Sequence, residues 1–94
     1  MTVTIGHTTF DRVSYDRDAD VLYLHVGDPT TAVDFDESPE GHALRYDTHG
    51  RLVGVTIVNA RWLLDQDGKI DVTISVPERV ELRPEALTGA LSMA

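Results

Sequence analysis

Apolar and polar residues alternate with a period of two along most of this chain, which is the pattern of half-buried β-strands. The segments that show it are residues 10–16, 20–26, 32–36, 42–47, 51–58 and 69–77. The last of these alternates without error, and the third is the weakest. We therefore predict about five to six strands, joined mainly as antiparallel hairpins.

Turn-forming residues separate these segments. Residues 47–50 have the sequence Asp-Thr-His-Gly, which suits a type I turn with Gly50 in the left-handed conformation. We expect this turn to join the clearest hairpin of the chain, over residues 42–58. An acidic turn at residues 16–20 joins the first two strands.

Two segments have a helical period instead. We expect Asn59 to cap the first helix and residues 65–68 to end it, and Pro84 to begin a second helix over 84–92. The apolar stripes are Ala60, Leu63 and Leu64 in the first helix and Leu87, Ala90 and Leu91 in the second. The predicted fold is α+β: a small antiparallel β-meander covered by one short helix and a C-terminal helix.

Length and charge limit what such a domain does. The 94 residues form a single domain, 1–94, and contain no cysteine, which excludes disulfides and zinc–thiolate sites. The net charge of −8 disfavours binding to nucleic acid and favours a basic partner. No apolar run is long enough for a membrane span and the N-terminus does not resemble a signal peptide, so we expect a cytoplasmic protein without a membrane partner.

Three aspartates two residues apart, Asp16, Asp18 and Asp20, raise the question of a cation site. A calcium loop of the EF-hand type that starts at Asp16 requires Gly at its sixth position and Glu at its twelfth. Val21 and Gly27 occupy those positions. We therefore interpret the three carboxylates as the chemistry of a turn between two strands, and predict no metal.

Candidate catalytic residues are weakly indicated. The histidines His7, His25, His42 and His49 have no metal-ligand spacing, and the chain lacks the sequence motifs of serine hydrolases, phosphate-binding loops and dinucleotide-binding folds. We interpret His25, which alternates with Tyr23 on a strand, as a packed or half-exposed neutral histidine. The sequence predicts no catalytic residue and no cofactor.

Arg61 and Trp62 form a candidate interface. Trp62 lies out of register with the apolar stripe of the first helix. An exposed Trp beside Arg has the composition of an interface hot spot. The alternative interpretation is a Trp that covers the edge of the core.

Two motifs in order resemble the YuzE-like family, the domain-of-unknown-function family numbered 2283. The resemblance covers a motif core at about residues 12–62, and the strand and helix over 69–92 follow it. The first motif is matched by Tyr15, Asp16, Ala19, Asp20, Leu22 and Tyr23, and the second by Asp47, Gly50, Arg51, Val53, Gly54, Val55 and Ile57. Thr56 stands where the family usually has Glu.

The resemblance implies a small antiparallel sheet with short helices, and no established activity. It also suggests an antitoxin-like role with a small, basic, toxin-like partner, which agrees with the acidic charge. The chain shows no DNA-reading element, however, which an antitoxin of the usual plan would have.

Two functional hypotheses follow. The first is a non-enzymatic interaction module that forms a homodimer or other homo-oligomer, or binds a small protein partner, through an unprotected strand edge at 69–77 and an apolar patch. The second is an enzyme or small-ligand binder that uses a cluster of Asp16, Asp20, Tyr23 and His25. The absence of catalytic motifs favours the first.

Overall fold

The structure is a computed structural model that describes residues 2–75 and 78–92. The strands in this part of the chain are β1 (Val3–Ile5), β2 (Thr8–Phe10), β3 (Arg12–Asp16), β4 (Val21–His25), β5 (Asp34–Glu37), β6 (Ala43–Tyr46), β7 (Leu52–Val58), β8 (Ile70–Ser75) and β9 (Glu78–Leu82). The helices are α1 (Ala60–Asp67) and α2 (Pro84–Leu91), and a short 3-10 turn, Pro29–Thr31, follows β4.

Five strands form the main sheet, in the order β3-β4-β7-β6-β5, and every neighbouring pair is antiparallel. The α+β class is therefore confirmed. The strand order differs from a simple meander at one step, because the chain leaves β4, crosses to the far edge of the sheet as β5, and returns through β6 to β7. This places β4 beside β7 at the centre of the sheet.

Two separate hairpins, β1–β2 and β8–β9, complete the described strands. Strands β1, β2 and β9 were not predicted, and Phe10, which ends β2, was assigned to the strand that begins at Arg12. Strands β1 and β2 have three residues each, which is too short to show a period of two. The alternation of charged and apolar residues in β9 is too weak to predict a strand. Of the predicted strand 69–77, Val76 and Pro77 lie outside the described residues.

Both predicted helices are confirmed. In α1, Ala60 is buried and Leu63 and Leu64 pack against the core, and the helix ends where Gly68 takes a φ of 72° and its N–H donates to the Leu64 carbonyl at 2.9 Å. Helix α2 buries Leu87, Ala90 and Leu91 and packs against β1 and β3. Neither helix is long and apolar enough to cross a membrane, nor is any other within the described part of the chain.

The core lies on one face of the main sheet. Alternate residues of β3, β4, β6 and β7 point into it, and the two hairpins and both helices supply the rest. The buried apolar residues are Val3, Ile5, Phe10, Tyr15, Leu22, Leu24, Leu44, Val55, Ile57, Ala60, Ile70, Val72, Leu82, Leu87, Ala90 and Leu91. Both helices and both hairpins contribute buried residues to this cluster, so among the described residues the opposite face of the main sheet is the more exposed one.

Candidate functional site

The acidic turn between β3 and β4 has a structural explanation. Asp16 Oδ1 accepts the N–H of Ala19, three residues on, at 3.2 Å, and this contact stabilises the turn. Asp18 is exposed, and Asp20 takes the left-handed conformation with a φ of 56°. Within residues 2–75 and 78–92, no three His, Cys, Asp or Glu side chains are placed to hold one metal ion.

Asp20 caps helix α1 from a distant part of the chain. Its carboxylate accepts the N–H of Arg61 at 2.8 Å and that of Trp62 at 3.1 Å, and its carbonyl accepts the N–H of Ala60 at 3.1 Å. Asn59 occupies the N-cap position, as predicted, but it has a φ of 57° and its side chain makes no capping hydrogen bond. The carboxylate that satisfies the free amides of the first turn therefore comes from the β3–β4 turn.

Tyr15 completes this arrangement. Its hydroxyl donates to Asp20 Oδ1 at 2.7 Å. Partial burial raises the pKa of Asp20, but the hydrogen bonds from Arg61, Tyr15 and Trp62 outweigh it, and the net effect lowers that pKa. Burial, together with the bond to Asp20, raises the pKa of Tyr15. Tyr15 and Asp20, two residues of the first motif, thus bind the start of α1 to the sheet.

The second motif also begins with a structural turn. Asp47 Oδ1 accepts the N–H groups of His49 at 2.8 Å and Arg51 at 3.0 Å, and the N–H of Gly50 donates to the Asp47 carbonyl at 3.1 Å. Gly50 has a φ of 74°, as the turn prediction requires. Asp47 and Gly50 therefore set the β6–β7 hairpin.

The candidate interface pair lies beside the capping site. Trp62 is 57% exposed. It lines a shallow groove with Tyr15, Asp20 and Arg61. The Arg61 guanidinium also donates to the Leu91 carbonyl at 3.1 Å, which ties α1 to α2.

The predicted cluster of Asp16, Asp20, Tyr23 and His25 does not form one site. Asp20 faces α1 on the core side of the sheet, where Tyr15 reaches it. Tyr23 and His25 alternate with the core residue Leu24 and lie on the opposite face. The structure thus separates Asp20 from Tyr23 and His25, whereas Asp16 lies on the same face as those two residues.

That opposite face is the main uncovered surface of the sheet, and we call it the open face. The register aligns its side chains in two rows across the five strands. One row is Arg12, His25, Gly54, Arg45 and Phe35, and the other is Ser14, Tyr23, Thr56, Ala43 and Glu37, with Asp16, Val21 and Val58 beyond them. Three large apolar side chains are exposed here: Phe35 at 68%, Tyr23 at 46% and Val58 at 37%.

His25 lies on the open face beside Gly54 and is nearly buried, at 8% exposure. Gly54 on the neighbouring strand has no side chain, and a Cβ built there would lie 3.0 Å from His25 Cδ2 and 3.1 Å from the Cβ of Arg45. His25 Nδ1 lies 2.9 Å from the Val26 carbonyl, so this nitrogen carries the proton, and Nε2 is an acceptor with no partner among the described residues.

Two shallow hollows flank His25, so the open face is not flat. They have volumes of about 270 and 220 Å³ and share the side chains of Tyr23, His25 and Pro29. At the far edge of the sheet the Arg45 guanidinium lies 5.2 Å from the centre of the Phe35 ring. The alternation in 20–26 had placed Tyr23 and His25 together; Phe35 and Arg45 join them only through the strand order.

Comparison with known proteins identifies a family without an assigned activity. The model of a family described as a protein of unknown function (DUF2283) matches residues 12–61, more than half of the chain. The matched segment contains the capping aspartate, both motif turns and all five strands of the main sheet. No curated protein and no solved structure matches the chain.

Proposed function

The chain belongs to the DUF2283 family, and we propose that it is a non-enzymatic interaction module that forms a homodimer through the open face of its main sheet. The observation that carries the proposal is that Phe35, Tyr23 and Val58 are exposed on the same face of the main sheet, opposite the core. Tyr23 and Val58 are diagonal neighbours on adjacent strands, and exposed apolar neighbours on a small domain mark interaction surfaces.

The size of the open face suits a small dimer interface. Five strands at about 4.8 Å and five residues at about 3.3 Å give a face of roughly 24 by 17 Å. The flat area of this face is about 400 Å², and protruding side chains make its accessible area larger. The smallest specific interfaces bury roughly 600 Å² on each partner.

Charge favours a second copy as the occupant. The strand residues of the open face include two arginines, Arg12 and Arg45, and two acids, Asp16 and Glu37, so this face is neutral although the chain has a net charge of −8. Two acidic molecules repel one another least where each is neutral. In a twofold-symmetric interface, a residue of one copy faces a different residue of the other copy unless it lies on the axis. An arginine of one copy can therefore meet an acid of the other.

One polar atom of the open face lacks a hydrogen-bond partner among the described residues. It is the buried Nε2 of His25, a residue that lines the hollows beside Tyr23. A donor of the second copy that reaches this atom would satisfy it. Interfaces combine this kind of central aromatic contact with a few buried polar contacts.

The sequence predicts strand-edge pairing through residues 69–77, but both edges of β8 are occupied. One edge of β8 pairs with β9. On the other edge, the Glu40 carboxylate accepts the N–H of Thr73 at 2.9 Å and its hydroxyl at 2.6 Å. A side chain that occupies a strand edge blunts its pairing with another chain, which leaves the open face as the larger free surface.

The test is the oligomeric state of matched variants. We expect the wild-type chain to sediment as a dimer at micromolar concentration, and Tyr23→Glu to raise the dimer dissociation constant at least tenfold, because it buries one added charge from each copy in the interface. Trp62→Glu is the control: it makes the same change at an exposed aromatic residue on α1. Circular dichroism verifies that both variants are folded.

Two results would overturn the proposal. One is a wild-type chain that remains monomeric up to about 1 mM, the range of very weak association, whether or not it captures a basic partner. The other is a dimer that Trp62→Glu dissociates and Tyr23→Glu does not, which would transfer the interface to α1.

A further inference from the structure

A second concave site lies on the core side of the molecule, away from the open face. It is a cavity of about 440 Å³, a size typical of small-molecule sites. Its walls come from the β5–β6 turn, the start of β6, helix α1 and the start of β8. The lining residues are Glu40, His42, Leu63, Asp67, Lys69, Ile70 and Asp71.

His42 supplies a buried donor without an acceptor. It is 1% exposed, and its Nδ1 accepts the N–H of Val58 at 3.3 Å, so the ring proton is on Nε2. Nε2 is buried and has no partner among the described residues. Burial lowers the pKa of His42, against the opposing effect of Glu40, so the ring is neutral. Because Val58 occupies the one nitrogen lone pair, His42 carries a buried, unpartnered N–H group and is one of the residues that line the cavity.

Asp71 supplies a buried acceptor without a donor. Its Oδ2 lies 3.4 Å from the Lys69 ammonium, which also contacts Glu81 at 3.0 Å. Its Oδ1 is buried and has no hydrogen-bond partner in the described part of the chain. Two residues that line the same cavity thus carry a buried donor and a buried acceptor without partners among the described residues, although such groups are normally paired.

The cavity is acidic and its walls are held in place. Three carboxylates, those of Glu40, Asp67 and Asp71, line it with a single ammonium, that of Lys69, so it favours a cation. Glu40 is fixed by its two hydrogen bonds to Thr73. A site whose polar groups are fixed before binding loses little entropy when a ligand enters.

We propose that this cavity binds a small organic cation that carries an oxygen next to its charged group. The ammonium or guanidinium donates to Asp71 Oδ1, and the neighbouring oxygen accepts from His42 Nε2–H. Leu63 and Ile70 contact the carbon skeleton. This site is independent of the dimer interface, because His42 and Leu44 alternate with residues of the open face and lie on the core side.

A matched pair of probes tests the charge. Glycinamide has an ammonium next to an amide oxygen, and propionamide is its neutral isostere. In an NMR titration of the full chain at pH 7, we expect glycinamide to shift the His42 ring nitrogen and Asp71 amide signals in a saturable manner with a dissociation constant at or below about 10 mM. Propionamide should give shifts that do not saturate in this range.

Variants test the assigned residues. Asp71→Asn should weaken glycinamide binding about tenfold, because a charge-assisted hydrogen bond is lost. Asp65→Asn, the same change at an exposed carboxylate of α1 that does not line the cavity, should leave binding unchanged. His42→Gln, with its fold verified by circular dichroism, should also weaken binding.

The proposal is overturned if glycinamide and propionamide shift the same signals equally, or if Asp65→Asn and Asp71→Asn weaken binding to the same extent. It is also overturned if neither probe binds, which would leave His42 and Asp71 hydrogen-bonded to water only. None of these outcomes depends on whether the chain dimerises.

Discussion

Asp20 Oδ1 accepts the backbone N–H of Arg61 at 2.8 Å across forty-one positions of sequence. The same carboxylate binds Tyr15 and Trp62, so one side chain joins the β3–β4 turn, the sheet and the first turn of α1. A charged acceptor at a helix N-terminus satisfies free amides and interacts favourably with the helix dipole. The aspartate that first suggests cation chemistry therefore has a clear role in the fold.

Replacing this carboxylate should destabilise the protein. We expect Asp20→Asn to lower the free energy of unfolding by about 1–2 kcal/mol, because the amide NH2 of asparagine cannot accept the N–H that Oδ2 accepts and the charge at the helix N-terminus is lost, while asparagine still tolerates the left-handed conformation. Urea denaturation measures the difference. Asp18→Asn, the same change at the exposed tip of the turn, is the control and should alter stability by less than about 0.5 kcal/mol. Equal effects of both variants would contradict the capping role.

Gly54 should be intolerant of a side chain. A methyl group there would lie 3.0 Å from the His25 ring and 3.1 Å from Arg45 Cβ, and the nearly buried ring has little room to move. We expect Gly54→Ala to cost about 1–2 kcal/mol of unfolding free energy, as overpacking does.

A double-mutant cycle identifies the cause of that cost. In a His25→Ala background the ring contact is gone, so the penalty of Gly54→Ala should fall by at least about 0.5 kcal/mol. Chemical denaturation of the four proteins gives the coupling. A Gly54→Ala variant as stable as the wild type would show that the close contact imposes no strain.

Stability should fall in mildly acidic solution because of His42. Burial lowers the pKa of His42 in the folded state below its usual value near 6.5, although Glu40 opposes this. The unfolded chain therefore binds the proton first, and the stabilisation that is complete above pH 6.5 is lost as the pH falls toward the folded-state pKa. The slope cannot exceed about 1.4 kcal/mol per pH unit, the limit for one proton.

Denaturation between pH 5 and 7.5 tests this. His42→Gln should flatten the pH dependence, whereas His49→Gln, at an exposed position of the β6–β7 turn, should retain it. If the two variants have the same pH profile, the dependence does not come from His42.

Local patterns in the sequence were enough to predict much of the fold. The hairpins β3–β4 and β6–β7, the Asp47–Gly50 turn and the apolar stripes of both helices were all predicted, because each depends on residues a few positions apart. A period of two places Leu22 and Leu24 on one face and Tyr23 on the other in any sheet that contains β4. The composition of the two faces was therefore determined by the sequence alone.

Only the tertiary structure decided which distant segments meet. Nothing local indicates that β4 pairs with β7, that Asp20 rather than Asn59 caps α1, or that His42 and Asp71 line one cavity. These contacts depend on the crossing of β5 to the far edge and on the closure of long loops, which cost entropy that only the packed core recovers. The sequence thus determined the faces of the elements, and the packing of those faces decided the sites.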